Sequence, residues 1–141
     1  MPFSPDMHLY LGALTMFQAA DTVLSNYFTF SGRANRAEYW WWMLFMFLTA
    51  VVMVLVDAFF IAPSFSQSPM ALDGKSPASL VTNLLLFFPS LTVSVRRLHD
   101  IDRSGLWILI VLVPLIGALL LFIWSLQGGT RGSNSYGPAP Y

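Results

Sequence analysis

The chain has 141 residues, of which 56% are hydrophobic and only 10% are charged, and its formal net charge is zero. A soluble domain carries about a quarter charged residues, so a chain this apolar is predicted to form one domain in a membrane. The balanced charge gives no basic surplus for nucleic acid, and the absence of cysteine excludes disulfides and thiol catalysis. With two histidines, neither a histidine-rich metal site nor a cofactor is expected.

Residues 1–30 are predicted to form an amphipathic helix at the membrane interface. The first ten residues contain no Lys or Arg, so a cleaved signal peptide is not expected. Between Met7 and Phe28, polar side chains gather on one half of a helical wheel. The other half is apolar and comprises Tyr10, Leu14, Phe17, Ala20, Leu24, Tyr27 and Phe28. The polar half has no basic residue to attract anionic lipid, which favours packing on the protein.

Residues 31–126 are predicted to form an all-α membrane domain with three spanning helices, at about 39–62, 78–95 and 105–126. Pro89 lies inside the second span and should kink it, with the freed carbonyl satisfied by a neighbouring helix or by Ser and Thr side chains. The third span contains Pro114 and Gly117, and a re-entrant hairpin at this break is the alternative interpretation. Residues 127–141 are rich in Gly, Ser and Pro and are predicted to form an extended tail.

The basic residues predict the orientation of the chain. Those that flank the spans on one side are Arg33, Arg36, Arg96, Arg97 and Arg103, whereas Lys75 and Arg131 lie on the other side if all three spans cross. The arginine-rich side is therefore predicted to be cytoplasmic, with the N-terminus inside and the tail in the periplasm. If the third stretch is a hairpin, the tail returns to the inner side.

Three pieces of the sequence together resemble a known family. They are Gly32 to Trp40, then Arg96 to Asp100 with Ser104-Gly105 before an aromatic span, and finally Gly128 to Pro140 with Asn134, Tyr136, Gly137 and Pro138. Over about residues 27–140 the chain resembles the bacterial inner-membrane family called domain of unknown function 805, the YhaH-like proteins. It departs from the family at Leu106, where tryptophan is more usual, and in a longer N-terminal helix. The resemblance implies a bacterial inner-membrane location and a compact multi-span fold, but no activity.

The segment from Arg96 to Ser104 is the densest polar cluster of the chain. In the functional interpretation, both arginine segments meet and hold an anionic headgroup, with His99 and Asp100 available for proton transfer. In the structural interpretation, which the sequence favours, the arginines set the topology and ion pairs lock the inner face. The carboxylates expected to pair with Arg33, Arg36 and Arg103 are those of Glu38, Asp100 and Asp102.

Asp57 is the only charged residue inside a predicted span. Acidic residues within membranes are candidate functional groups by default. Asn83 is expected at a similar depth, because the first two spans are predicted to be antiparallel. A hydrogen bond between Asp57 and Asn83 is therefore favoured over a proton relay.

The favoured function is a non-catalytic inner-membrane protein that binds a lipid or a protein partner through its arginine-rich face, because no catalytic set is complete. The first alternative is an oligomeric transporter or channel subunit, since three spans seldom enclose a path alone. The second is a membrane-interface enzyme that modifies lipids with His99 and Asp100. The expected partners are membrane lipids and either a protein partner or a second copy of the chain, and not nucleic acid.

Overall fold

The computed structural model describes residues 15–61 and 77–140, to which all statements about structure refer. In chain order these residues form α1 (Met16–Ser25), α2 (Arg36–Val56) with a π-helical turn at Asp57–Ile61, α3 (Pro77–Asp100), a 3₁₀ helix (Gly105–Leu112) and α4 (Ile116–Leu126). The described part has no β-strand, only an isolated bridge between Asn134 and Gly137, so the all-α prediction holds for it. The first half of the predicted amphipathic helix lies outside the described residues.

Helix α1 begins at Met16 because Thr15 and Gln18 form a capping box, with Gln18 N donating to Thr15 Oγ1 at 3.4 Å. The helix packs against α2 and α3. Its buried residues are Ala19, Ala20 and Val23, whereas Phe17 is 75% exposed. Small side chains of this helix, including Ala20 of the predicted apolar half, face the bundle, because they let helix backbones approach closely, and the large apolar ones such as Phe17 point outward.

Two helices are long and apolar enough to cross a membrane, Arg36–Phe60 and Ser79–Asp100, and they contain most of the first two predicted spans. Many of their large apolar side chains are exposed, such as Phe47 at 64% and Val54 at 65%, as expected for a surface in contact with lipid. The helices are antiparallel, because the start of α2 lies beside the end of α3. There, Ala34 N donates to Arg96 O at 3.0 Å.

Pro89 lies within α3 without ending it. A proline removes the hydrogen bond to the carbonyl four positions earlier, which here belongs to Leu85. The Tyr27 hydroxyl, which follows α1, donates to Leu85 O. A neighbouring segment therefore satisfies the freed carbonyl, one of the two arrangements that the sequence predicted for this proline.

The third predicted span is corrected, because residues 105–126 form two short helices that reverse direction rather than one spanning helix. The reversal is a γ-turn at Leu115, with φ 63° and ψ −58°, in which Ile116 N donates to Pro114 O at 2.7 Å. The two outer ends lie together, since the ring centroids of Trp107 and Trp124 are 5.5 Å apart. The two short helices, the limbs of this hairpin, are each about 16 Å long, roughly half the hydrocarbon thickness of a bilayer. The alternative expectation, a hairpin at this break, describes the structure.

Candidate functional site

The candidate site is the arginine face, formed by residues 31–38, 96–104 and 128–138. The chain reaches this face through a turn at Gly32, whose φ of +83° suits glycine. Helix α2 then begins after Asn35, whose Oδ1 accepts from Glu38 N at 2.8 Å. On the other side, the last two turns of α3 carry Arg96, Arg97 and Asp100. The two segments that the sequence singled out therefore meet.

Five residues at the centre of this face form a buried ionic network, the arginine cluster of Arg33, Glu38, Arg96, Arg97 and Asp100. Arg96 Nη2 lies 2.8 Å from Glu38 Oε1. Asp100 pairs with two arginines: Arg33 Nη2 lies 2.9 Å from Oδ1, and Arg97 Nη1 contacts Oδ2. All five side chains are at most 6% exposed. Ion pairs thus stabilise this face. The pair of Asp100 with Arg33 is among those expected, whereas Glu38 pairs with Arg96 and Asp100 also pairs with Arg97.

The tail is ordered against the arginine cluster, which corrects the prediction of an extended tail on the opposite side. Arg33 donates to the carbonyl oxygens of Thr130 at 2.6 Å, Gly132 at 2.6 Å and Gly137 at 3.3 Å. Thr130 N in turn donates to Asp100 O at 2.8 Å. Because the hairpin returns the chain to this face, the tail lies on the same side as both arginine segments.

His99 and Asp102 are also held by the tail. The His99 ring stacks on Tyr136 with centroids 3.9 Å apart, and its Nδ1 lies 3.1 Å from Gly32 O. Asp102 Oδ1 accepts from Ser135 N at 3.2 Å. His99 and Asp100 are both buried, and the Asp100 carboxylate is occupied by Arg33 and Arg97. The arrangement does not present an adjacent acid and base to a substrate at the surface.

Arg36 and Arg103 differ from the other three arginines of the prediction. Neither lies within ion-pair distance of a carboxylate in the described part of the chain. Arg36 is exposed, and its Nη1 donates weakly to Leu126 O at 3.5 Å. The Arg103 guanidinium lies 4.3 Å from the centroid of the Trp124 ring. Both charges therefore flank the last turns of α4.

A cavity of about 230 Å³ lies beside these two arginines, between α3 and the hairpin. Its polar lining, next to the arginine cluster, includes Tyr39, Ser94, Arg97 and Ser125. Its apolar walls include Leu98, Ile108, Val111, Leu121 and Trp124. The two short helices of the hairpin can pack this closely because residue 117 is glycine and has no Cβ. A Cβ at this position would overlap the carbonyl oxygen of Ile110. The sequence did not predict this cavity, although the Pro114 and Gly117 break was the signal that a hairpin could form.

Asp57 and Asn83 do not form the predicted pair. The Asp57 carboxylate accepts a hydrogen bond from Ser79 Oγ, one turn before Asn83. Asn83 instead lines a smaller cavity of about 130 Å³ between α2 and α3, together with Thr49 and Thr82. A hydroxyl on the facing helix thus replaces the expected amide, because Ser79 is the residue that faces Asp57.

A match to a known protein family covers all three segments of the arginine face. The family model described as "Protein of unknown function (DUF805)" matches residues 27–138. The chain is 37% identical over 118 residues to the inner membrane protein YhaH of Escherichia coli K12, covering 84% of this chain and 92% of that protein. It is 40% identical over 120 residues to the inner membrane protein YhaI of the same strain, with the same coverage of 84% and 92%. No solved structure matches the chain.

Proposed function

We propose that this chain, which belongs to the DUF805 family of proteins of unknown function, is a non-catalytic inner-membrane protein that binds an anionic phospholipid at its arginine face. Its relatives YhaH and YhaI are inner membrane proteins, which supports the location. The observation that carries the binding proposal is the position of Arg36 and Arg103. Both are unpaired by carboxylates in the described residues, and both contact the end of α4 that borders the cavity, Arg36 at Leu126 O and Arg103 at the ring of Trp124.

The charge balance of the face supports an anionic ligand. Five arginines, Arg33, Arg36, Arg96, Arg97 and Arg103, stand against three carboxylates in the two segments that precede the tail. In the arginine cluster, two carboxylates form ion pairs with three arginines inside the protein. The remaining positive charge lies at the surface, where each basic residue contributes about 1 kcal/mol to attraction of anionic lipid.

Retention of phosphatidylglycerol tests this proposal. The protein is reconstituted into vesicles of phosphatidylcholine and phosphatidylglycerol, extracted, and its bound lipids are counted by native mass spectrometry. We expect the wild type to retain phosphatidylglycerol preferentially. Arg36→Gln and Arg103→Gln should each weaken that retention about fivefold, which corresponds to about 1 kcal/mol.

Arg131→Gln is the matched control, because it removes the same charge from an exposed position of the same face, where no contact in the described residues joins Arg131 to α4 or to the cavity. It should leave the retention of phosphatidylglycerol unchanged. Equal retention of both lipids by the wild type, or an equal loss in all three variants, would contradict a specific site. A co-purified protein at fixed stoichiometry that depends on Arg36 would replace the lipid by a protein partner.

The geometry of the remaining candidates favours binding over catalysis or transport. The ring of His99 and the carboxylate of Asp100 are both engaged within the protein. Asp57 is bonded to Ser79, and the carbonyl freed by Pro89 is bonded to Tyr27. The groups that a lipid-modifying enzyme or a proton pathway would use therefore serve the fold.

We further propose that the chain crosses the membrane twice, with the arginine face and the tail in the cytoplasm and the hairpin re-entrant. The two long apolar helices, Arg36–Phe60 and Ser79–Asp100, are the crossings. Since the tail contacts Arg33, Arg131 joins the five arginines on one side, and the excess of basic residues there favours the cytoplasm. This replaces the expectation of a periplasmic tail.

Single cysteines test the orientation, because the natural chain has none. Ser31→Cys and Ser133→Cys are exposed on the arginine face, and Ser66→Cys lies in the segment between the two crossings. A membrane-impermeant maleimide added to intact spheroplasts should label Ser66→Cys alone, and label the other two variants only after lysis. Labelling of Ser133→Cys without Ser31→Cys in intact spheroplasts would restore a third crossing.

A further inference from the structure

We infer that the cavity between α3 and the hairpin binds one acyl chain of the anionic phospholipid whose headgroup lies against Arg36 and Arg103. The inference rests on the proposed function and adds which part of the lipid enters the protein. It concerns a site inside the bundle rather than a contact at the surface.

The cavity is polar at the end next to the arginine cluster and apolar towards the hairpin turn, which matches the polar and apolar ends of a lipid. Tyr39 and Ser125 lie at the end next to the arginine cluster, where Arg97 bonds to Ser125 O at 3.3 Å. Val111 and Leu121 line the cavity towards the hairpin turn. A bilayer has the same order, with headgroups at the surface and hydrocarbon inside. A chain entering from the membrane therefore meets apolar walls, and its ester end meets polar groups.

The size of the cavity limits its occupant to a slender group. Pockets for drug-sized ligands and cofactors occupy roughly 300–1,000 Å³, whereas this cavity has about 230 Å³. A segment of one unbranched acyl chain is within this volume, and the rest of the chain would lie in the surrounding bilayer.

The cavity is partly open rather than enclosed, and its wall residue Val111 is 53% exposed at the surface of the bundle. In a bilayer, the neighbouring molecules at this depth are lipid chains. An empty apolar void loses the dispersion contacts that its lining would otherwise make. Filling by a chain restores those contacts without displacing any described side chain.

The headgroup of the same lipid would lie within reach of two guanidiniums. Arg36 precedes Tyr39, a cavity residue, by one helical turn of α2. Arg103 lies over Trp124, another cavity residue. Arginine recognises phosphate oxygens through paired N–H donors. The site thus combines a charged end for a phosphodiester with an apolar end for one chain.

Photocrosslinking tests the inference. The full-length protein is reconstituted with phosphatidylglycerol that carries a diazirine on one acyl chain, irradiated, and digested for peptide mass spectrometry. We expect adducts on Ile108 and Leu121, cavity residues that are only partly exposed, in addition to the exposed lipid-facing surface of α2. In Leu121→Trp, which fills the cavity, the cavity adducts should fall about tenfold or more while those on α2 persist.

Leu119→Trp is the matched control, because Leu119 belongs to the same helix, is 59% exposed and does not line the cavity. Val111→Phe fills the cavity from the other limb and keeps the test decisive if Leu121→Trp does not fold. Absence of cavity adducts in the wild type, or adducts unchanged in a folded filling variant, would overturn the inference. Equal cavity labelling by the phosphatidylcholine analogue would support the chain site while contradicting the headgroup preference of the proposed function.

Discussion

Replacing Asp100 by Asn is expected to unfold or severely destabilise the protein. The Asp100 carboxylate is the counter-charge of two buried guanidiniums, those of Arg33 and Arg97. A neutral amide would leave both charges uncompensated at side-chain exposures of 1% and 3%. Removing one partner of a buried ion pair costs about 3–5 kcal/mol. The free energy of unfolding, measured by titrating dodecyl sulfate into mixed micelles, should fall by at least this amount.

Trypsin provides a second readout for the same variant, since the tail is held by the arginine cluster. Cleavage after Arg131 should accelerate in Asp100→Asn, because Arg33, which donates to the tail carbonyls of Thr130 and Gly132, would lose its carboxylate partner. The control is Asp102→Asn, which removes the same charge two positions later from an exposed side chain. Its amide oxygen can still accept from Ser135 N, so we expect wild-type stability. Equal stability of the two Asn variants would show that the ion pairs of Asp100 are dispensable.

Replacing Gly117 by Ala should separate the two limbs of the hairpin. The added Cβ would overlap the Ile110 carbonyl oxygen and lie 3.0 Å from Val111 Cα. Both obstacles are backbone atoms, which cannot move aside as the end of a flexible side chain can. Overpacking usually costs about 1–3 kcal/mol, and we expect the upper end of this range or more. The same titration in mixed micelles measures the loss.

Gly128→Ala is the appropriate comparison for Gly117→Ala, because a Cβ at Gly128 meets no atom within 4 Å. This variant should unfold like the wild type. If Gly117→Ala were equally stable, the limbs of the hairpin would not pack as closely in the membrane as the structure has them. Retention of phosphatidylglycerol by Gly117→Ala should also fall, since the hairpin forms one side of the cavity.

The sequence predicted the parts of the fold that hydropathy and charge encode locally. The two long apolar helices and the arginine segments that meet at their ends are visible in the sequence, and so is the likeness to the family. Pro114 and Gly117 indicated a break in the third stretch. Hydropathy reports only the transfer of side chains to hydrocarbon, however, and a hairpin that enters lipid and returns has the same hydropathy as a crossing helix.

Two features of the site have no local signature in the sequence. The tail is bound mainly through its backbone carbonyls, which Arg33 contacts at Thr130, Gly132 and Gly137. Every residue has a carbonyl, so a Gly- and Ser-rich composition conceals such contacts. The choice of partners among the charges is equally hidden, since Glu38 pairs with Arg96 rather than with the nearby Arg36. It depends on which side chains the antiparallel helices bring to the same depth.

The contacts of Arg33 also impose an order on biosynthesis. The carbonyls that surround its guanidinium belong to residues 97, 99 and 104 positions later in the chain. While those residues are still inside the ribosome, the charge of Arg33 lacks these partners. Completion of the arginine face therefore waits until the tail has left the ribosome. Nascent chains that stall after the hairpin would expose an incompletely bonded arginine, a feature by which quality control could distinguish them from finished molecules.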